Sequence, residues 1–226
     1  MIRHLPNFLT CCNLLCGCFA IVFLLEERGV PAAYFVWAAC VFDFLDGFVA
    51  RLLKVSSPIG KELDSLADVV SFGVVPAMVM FKLIGAHSSL QSLPYIGFTI
   101  AAFSALRLAI FNVDTRQSDS FIGLNTPANT LFISSLPLLP ENIGAWLYQD
   151  WVLVTITMVF SLLLVSPIEI FALKFKNYSW ADNKMRFTFL ALAVLLLLTL
   201  HIAAIPVIIL LYIALSLIDR FILQKT

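Results

Sequence analysis

The chain has 226 residues, of which 61% are hydrophobic and only 12% charged. Soluble domains are nearer 45–50% apolar and 25% charged, so the composition excludes an ordinary soluble globule and points to a polytopic membrane protein. Fourteen basic and fourteen acidic residues cancel to a formal net charge of zero, which by itself argues neither for nor against nucleic acid; no nucleic-acid partner is expected of such a membrane protein.

About 20 apolar residues cross a bilayer, and polar breaks cut the chain into eight segments, at roughly residues 6–25, 32–53, 62–84, 94–113, 127–140, 151–172, 185–202 and 205–222. The reading is therefore an all-α integral membrane protein with about eight transmembrane helices. The whole of 1–226 is one transmembrane domain, with a catalytic core at about 5–140 and C-terminal spans at about 150–223. No connecting loop is long enough for a soluble domain. The first segment contains Arg3 and an apolar run but no small-residue cleavage pattern, so it reads as a retained span. Cys11, Cys12, Cys16, Cys18 and Cys40 form no CxxC pair and read as packing residues.

Charge placement sets an expected orientation. With the N-terminus cytoplasmic, twelve of the fourteen Lys and Arg fall inside and only Arg28 and Lys82 fall outside. Both termini are then cytoplasmic, and an even number of spans is favoured. The basic residues near 174–186 fit ordinary positive-inside residues.

The second and third segments carry the chemistry. Asp43, Asp46, Asp64 and Asp68 stand within 26 positions of a chain otherwise rich in Leu, Phe, Val, Ile and Ala. Each Asp at the centre of a membrane helix costs about 2.5–3.5 kcal/mol, so four together cost on the order of 10–14. Acids at this density mark a function, and the matching counter-charge is a metal ion. At about 100° per residue, Asp46, Gly47, Ala50 and Arg51 all lie within about 80° of Asp43. Gly60, Asp64, Asp68 and Ser71 share a face of the next helix. The short connection at 54–59 lets the two faces oppose. Hard oxygen donors from an antiparallel pair suit one or two Mg²⁺ or Mn²⁺ ions. Gly47 and Ala50 leave room for a bulky group, and Arg51 matches a phosphate. Taken alone, the aspartates also suit a cation pathway of a small transporter.

The full pattern reads Asp43-x2-Asp46-Gly47-x2-Ala50-Arg51-x8-Gly60-x3-Asp64-x3-Asp68. It resembles, without a mismatch, the signature of the CDP-alcohol phosphotransferases. That resemblance implies a helical bundle with its active site near the cytoplasmic face, in which Asp43, Asp46, Asp64 and Asp68 bind two divalent ions (Mg²⁺ or Mn²⁺) and Asp68 also activates the acceptor alcohol. Gly47, Ala50 and Arg51 would receive the CDP group, with Gly60 at the turn. Pro6-Asn7, with Thr10 one turn on, matches a further family feature and adds Asn7 and Thr10 to the CDP-lipid residues.

Three stretches resemble the phosphatidylserine synthase branch: residues 63–77, Leu106–Asn112 (LRLAIFN), and Phe121-Ile122-Gly123-Leu124 with Pro127 following. The resemblance implies CDP-diacylglycerol and L-serine as substrates, a homodimer, and the cell's inner (cytoplasmic) membrane. Arg107, Asn112 and Asn125 are the acceptor-binding candidates. Ile110 stands where that branch carries a basic residue and Asn125 where it carries proline. Another acceptor branch, such as phosphatidylglycerophosphate synthase, is the alternative. Arg107 also fits a cation snorkelling to the interface, and Asn125 a turn former.

Overall fold

A computed structural model describes residues 2–26, 32–114, 120–140, 146–171, 179–180 and 183–219. The basic residues Arg28, Arg116, Lys174, Lys176, Arg220 and Lys225, which entered the orientation count, lie outside the described residues. Each of the eight expected segments contains a helix: α1 Leu5–Glu26, α2 Ala32–Leu53, α3 Pro58–Asp68 continuing through a π-helical segment Val69–Val74 into α4 Val75–His87, α5 Thr99–Val113, α6 Thr126–Ser135, α7 Asp150–Val165, α8 Lys184–Leu200 and α9 Ala204–Ile218. The protein is an all-α integral membrane protein.

Among the described residues, five stretches are long and apolar enough to cross a membrane: Leu5–Glu26, Ala32–Leu53, Pro58–His87, Leu93–Val113 and Lys184–Ile218. The fifth holds two helices, because His201 adopts φ 51° and ψ −125° and breaks the rod before α9. That break precedes the expected one, between the segments at 185–202 and 205–222. Pro206 instead sits in the first turn of α9, where its missing N–H leaves no bond unmade. The sixth segment is shorter than expected. Helix α7 stops at Val165 because Pro167 restricts the residue before it and offers no donor. The chain then runs into a short antiparallel ladder that the pattern of apolar residues does not announce, Ser120–Ile122 against Glu169–Phe171. Gly123, at φ 78°, joins this ladder to α6 and passes so close to the Leu164 carbonyl that a Cβ would collide with it.

Two packing features position the site. Helix α1 buries a stripe of small and polar residues, Pro6, Thr10, Asn13, Gly17 and Ala20, against α2 and α3. Such residues let membrane helices approach closely and bond across the contact. At its other end α2 is closed by Lys54 (φ 53°), and Val55 N–H donates to Ala50 O at 3.0 Å. Helix α3 then restarts at once: Ser57 is its N-cap, accepting from Gly60 N–H at 3.0 Å, and Pro58 fills the first turn. The remaining core, built on Met80, Ile84, Ile100, Ile133, Leu153 and Tyr212, holds α4, α5, α6, α7 and α9 together.

Candidate metal and nucleotide site

The tight α2–α3 turn brings the two acidic faces together. Carboxylate oxygens of Asp43, Asp64 and Asp68 lie within 4.8 Å of one another. Asp46, one turn along α2 from Asp43, stands beside this trio; its Oδ2 accepts the Thr10 hydroxyl at 2.6 Å. A bond this short to a charged acceptor is among the stronger kinds and fixes the carboxylate's rotamer. Three hard oxygen donors at this separation, from two facing helices and with a fourth carboxylate adjacent, suit a divalent cation. Like charges so close in an apolar bundle also need one.

Beside the carboxylates opens a cavity of about 920 Å³. Its lining includes Asn7, Thr10, Asp46, Gly47, Ala50, Gly60 and Asp64. Five of the six residues expected to receive the CDP-lipid therefore face one space. The sixth, Arg51, folds over Gly47: a Cβ on that glycine would lie 3.4 Å from the guanidinium Nη1. A Cβ on Gly60 would sit 3.1 Å from both Asn7 Oδ1 and Ser57 Oγ, so the bare glycine widens the cavity at that wall. Arg3, Lys54 and Lys61 add positive charge to the same lining, which suits a diphosphate. These three were absent from the expected site, because their charge alone reads as positive-inside patterning.

The structure does not gather the three acceptor candidates into one place. Arg107 is buried, with 7% of its surface exposed, and lines a separate small cavity with Ile110, Phe111, Ile122, Leu164 and Ser166. Its guanidinium carbon is 5.8 Å from the Phe111 ring centroid, and its Nε has no hydrogen-bond partner among the described residues. A cation held this way does not snorkel to an interface. The Asn112 side chain is occupied elsewhere: Nδ2 donates to Ser65 Oγ at 2.7 Å, while the residue's backbone carbonyl accepts Lys61 Nζ at 2.6 Å. These bonds tie the end of α5 to the helix that carries Asp64 and Asp68. Asn125 is the N-cap of α6, its Oδ1 accepting Ala128 N–H at 2.8 Å.

One residue absent from the expected site touches it directly. Asn13, fully buried on α1, donates Nδ2 to Asp68 Oδ1 at 3.1 Å, and its own carbonyl accepts the Ser71 hydroxyl at 3.0 Å. Its side-chain Oδ1 has no partner among the described residues. The signal was present in the spacing: Pro6, Thr10, Asn13 and Gly17 recur at four, three and four residues, one helical face.

Comparison with known proteins agrees with this geometry. Residues 3–165 match the CDP-alcohol phosphatidyltransferase family. Three similar proteins carry the name CDP-diacylglycerol–serine O-phosphatidyltransferase. The one from Helicobacter pylori (strain J99) is 37% identical over 143 residues, covering 61% of this chain and 58% of that protein. The one from Bacillus subtilis (strain 168) is 36% identical over 129 residues, covering 55% and 70%. The one from Saccharomyces cerevisiae is 40% identical over 169 residues, covering 65% and 60%. The chain thus spans less than two thirds of the length of the Helicobacter and yeast relatives. The match to 3–165 takes in every residue of the carboxylate cluster and its cavity, and this chain belongs to the CDP-alcohol phosphatidyltransferase family.

Proposed function

We propose that the chain is a CDP-diacylglycerol–serine O-phosphatidyltransferase, making phosphatidylserine and CMP from CDP-diacylglycerol and L-serine. The observation that carries this reading is the carboxylate trio Asp43, Asp64 and Asp68 within 4.8 Å, opening beside a cavity lined by Gly47, Ala50 and Gly60. The names of its relatives support the choice of serine. The catalytic core is residues about 5–140. The protein works in the cell's inner membrane as a homodimer with both termini cytoplasmic, so that the lipid enters sideways from the cytoplasmic leaflet.

Asp43, Asp46, Asp64 and Asp68 would hold two divalent ions, Mg²⁺ or Mn²⁺. Bound there, the ions supply positive charge to the diphosphate oxygens as negative charge builds on them. The rest follows from the chain's own groups. Gly47, Ala50 and Gly60 leave the backbone open to the cytidine and phosphates, with Asn7 and Thr10 on the facing wall. Arg51 pairs with a phosphate oxygen, its fork matched to two acceptors. Arg107 holds the acceptor's carboxylate. The serine hydroxyl oxygen attacks the phosphorus of the phosphatidyl group, and its proton passes to an Asp68 carboxylate oxygen. The bond from that phosphorus to the CMP oxygen breaks, and CMP leaves. Asn13 keeps Asp68 aimed during this exchange.

An acceptor panel tests the reading. Purified protein in liposomes with CDP-diacylglycerol releases CMP when L-serine is added and not with glycerol 3-phosphate. Release with glycerol 3-phosphate alone overturns the serine assignment and moves the chain to the phosphatidylglycerophosphate branch.

A further inference from the structure

The helix that carries Asp64 and Asp68 changes its winding immediately after them. Val69 N–H still reaches Ser65 O, four residues back, but Val75 N–H donates to Val70 O, five back. Residues Val69–Val74 form a π-helical segment. Such a segment adds one residue to the helix and is rare, because it persists only where its surroundings compensate.

Here the compensation comes from three neighbouring helices. The Phe72 carbonyl, inside the segment, accepts the Thr130 hydroxyl of α6 at 2.9 Å and the Ser104 hydroxyl of α5 at 3.3 Å. The Ser71 hydroxyl donates to Asn13 O of α1 at 3.0 Å. Thr130 shares its proton with Thr126 O, 2.8 Å away on its own helix. Ser71, Ser104 and Thr130 are each buried completely. Close approach is built in as well: a Cβ on Gly73 would lie 3.2 Å from Ser104 Cβ, and a Cβ on Gly17 would lie 2.5 Å from Ser71 Oγ.

The extra residue matters because of what lies one turn away. Each helical residue turns about 100°, so winding the segment back to an α-helix would rotate Asp68 by roughly that angle against α4, and by part of it against Ser71 and Phe72, which are anchored within the segment. Its carboxylate would leave Asp43 and point away from the trio. We propose that the π segment is a register device that aims Asp68 at Asp43, and that Thr130 and Ser104 are positioning residues that hold it wound; the proposal rests on the reading of the trio as a divalent-cation site.

The test uses the full chain, purified in detergent, with Mn²⁺ alone as probe and binding followed by electron paramagnetic resonance. Thr130→Val removes the hydroxyl at nearly constant shape and weakens Mn²⁺ binding about tenfold, as expected for a buried acceptor left short of a donor. Thr130→Ser restores binding, and Ser104→Ala gives a smaller loss in the same direction. Thr157→Val is the control: among the described residues this equally buried hydroxyl bonds only Leu153 O of its own helix, at 2.8 Å, and its loss leaves Mn²⁺ affinity at the wild-type value whatever it does to the thermal midpoint. Wild-type affinity in Thr130→Val, or an equal loss in Thr157→Val, overturns the proposal. If the wild type binds no Mn²⁺, the cation reading fails by itself. CMP release then decides: a lower kcat in Thr130→Val at unchanged KM for CDP-diacylglycerol supports the register device, and an unchanged kcat refutes it.

Discussion

Replacing Asn13 with leucine separates activity from stability. The amide donates to Asp68 Oδ1 at 3.1 Å from a fully buried position, while its own oxygen has no partner among the described residues. A hydrogen bond to a charged group contributes about 1.5–3 kcal/mol. If that contribution holds Asp68 in its working rotamer, its loss lowers kcat by roughly 10-fold to 150-fold, at 1.36 kcal/mol for each factor of ten. The fold responds differently. Leucine is of similar size, and the change also removes a buried oxygen that lacks a donor, which offsets the lost bond. The thermal midpoint therefore stays level or rises. The assay is CMP release from CDP-diacylglycerol in mixed micelles, run beside a melting curve of the same preparation. A kcat within threefold of wild type refutes the positioning role. A loss of activity that tracks a fall in the melting midpoint refutes it equally, since Asn13 would then be a packing residue.

Arg107→Met removes a buried cation whose Nε lacks a hydrogen-bond partner among the described residues; apolar replacement of buried charges is often neutral or stabilising, so the melting midpoint holds or rises. KM for serine increases at least about tenfold, on loss of a charge-assisted bond, while KM for CDP-diacylglycerol does not move. Asn112→Ala distinguishes the observed tie to Ser65 from acceptor contact: the tie predicts a fall in kcat of about fivefold with serine KM unchanged, and contact predicts the reverse. Gly17→Ala places a Cβ 2.5 Å from Ser71 Oγ and 3.0 Å from its Cα, so it destabilises by about 1–3 kcal/mol; thermal unfolding of the variant reads this.

The carboxylate face was legible because each element of it is local. Asp43, Asp46, Gly47, Ala50 and Arg51 sit on a single helix, and a short connection leaves Asp64 and Asp68 few ways to face anywhere else. The α6 start was legible to within a residue, since an apolar segment was expected from about 127 with Asn125 as a possible turn former; its role as the N-cap comes from the structure. Its value as a cap competes with the acceptor role, and the cap is what the geometry displays. Contacts that join distant segments were hidden. Whether Asn112 reaches a ligand or Ser65, 47 positions away, depends on how α5 docks on α3. The run Val69 to Val74 looks like any apolar helix interior, and only hydroxyls arriving from Ser104 and Thr130 distinguish its winding. The ladder of Ser120–Ile122 with Glu169–Phe171 likewise requires two loops to meet.

The central claim is that the aspartate cluster moves a phosphatidyl group from CDP-diacylglycerol to serine with the help of divalent ions. The most direct measurement is the yield of phosphatidylserine against CMP, from purified protein in liposomes with labelled serine, before and after EDTA and again after Mg²⁺ or Mn²⁺ is restored. The account predicts equal amounts of the two products, none with EDTA, recovery when the ion returns, and no recovery in Asp68→Asn. Phosphatidylserine formed at the wild-type rate in EDTA, or by Asp68→Asn, would contradict it.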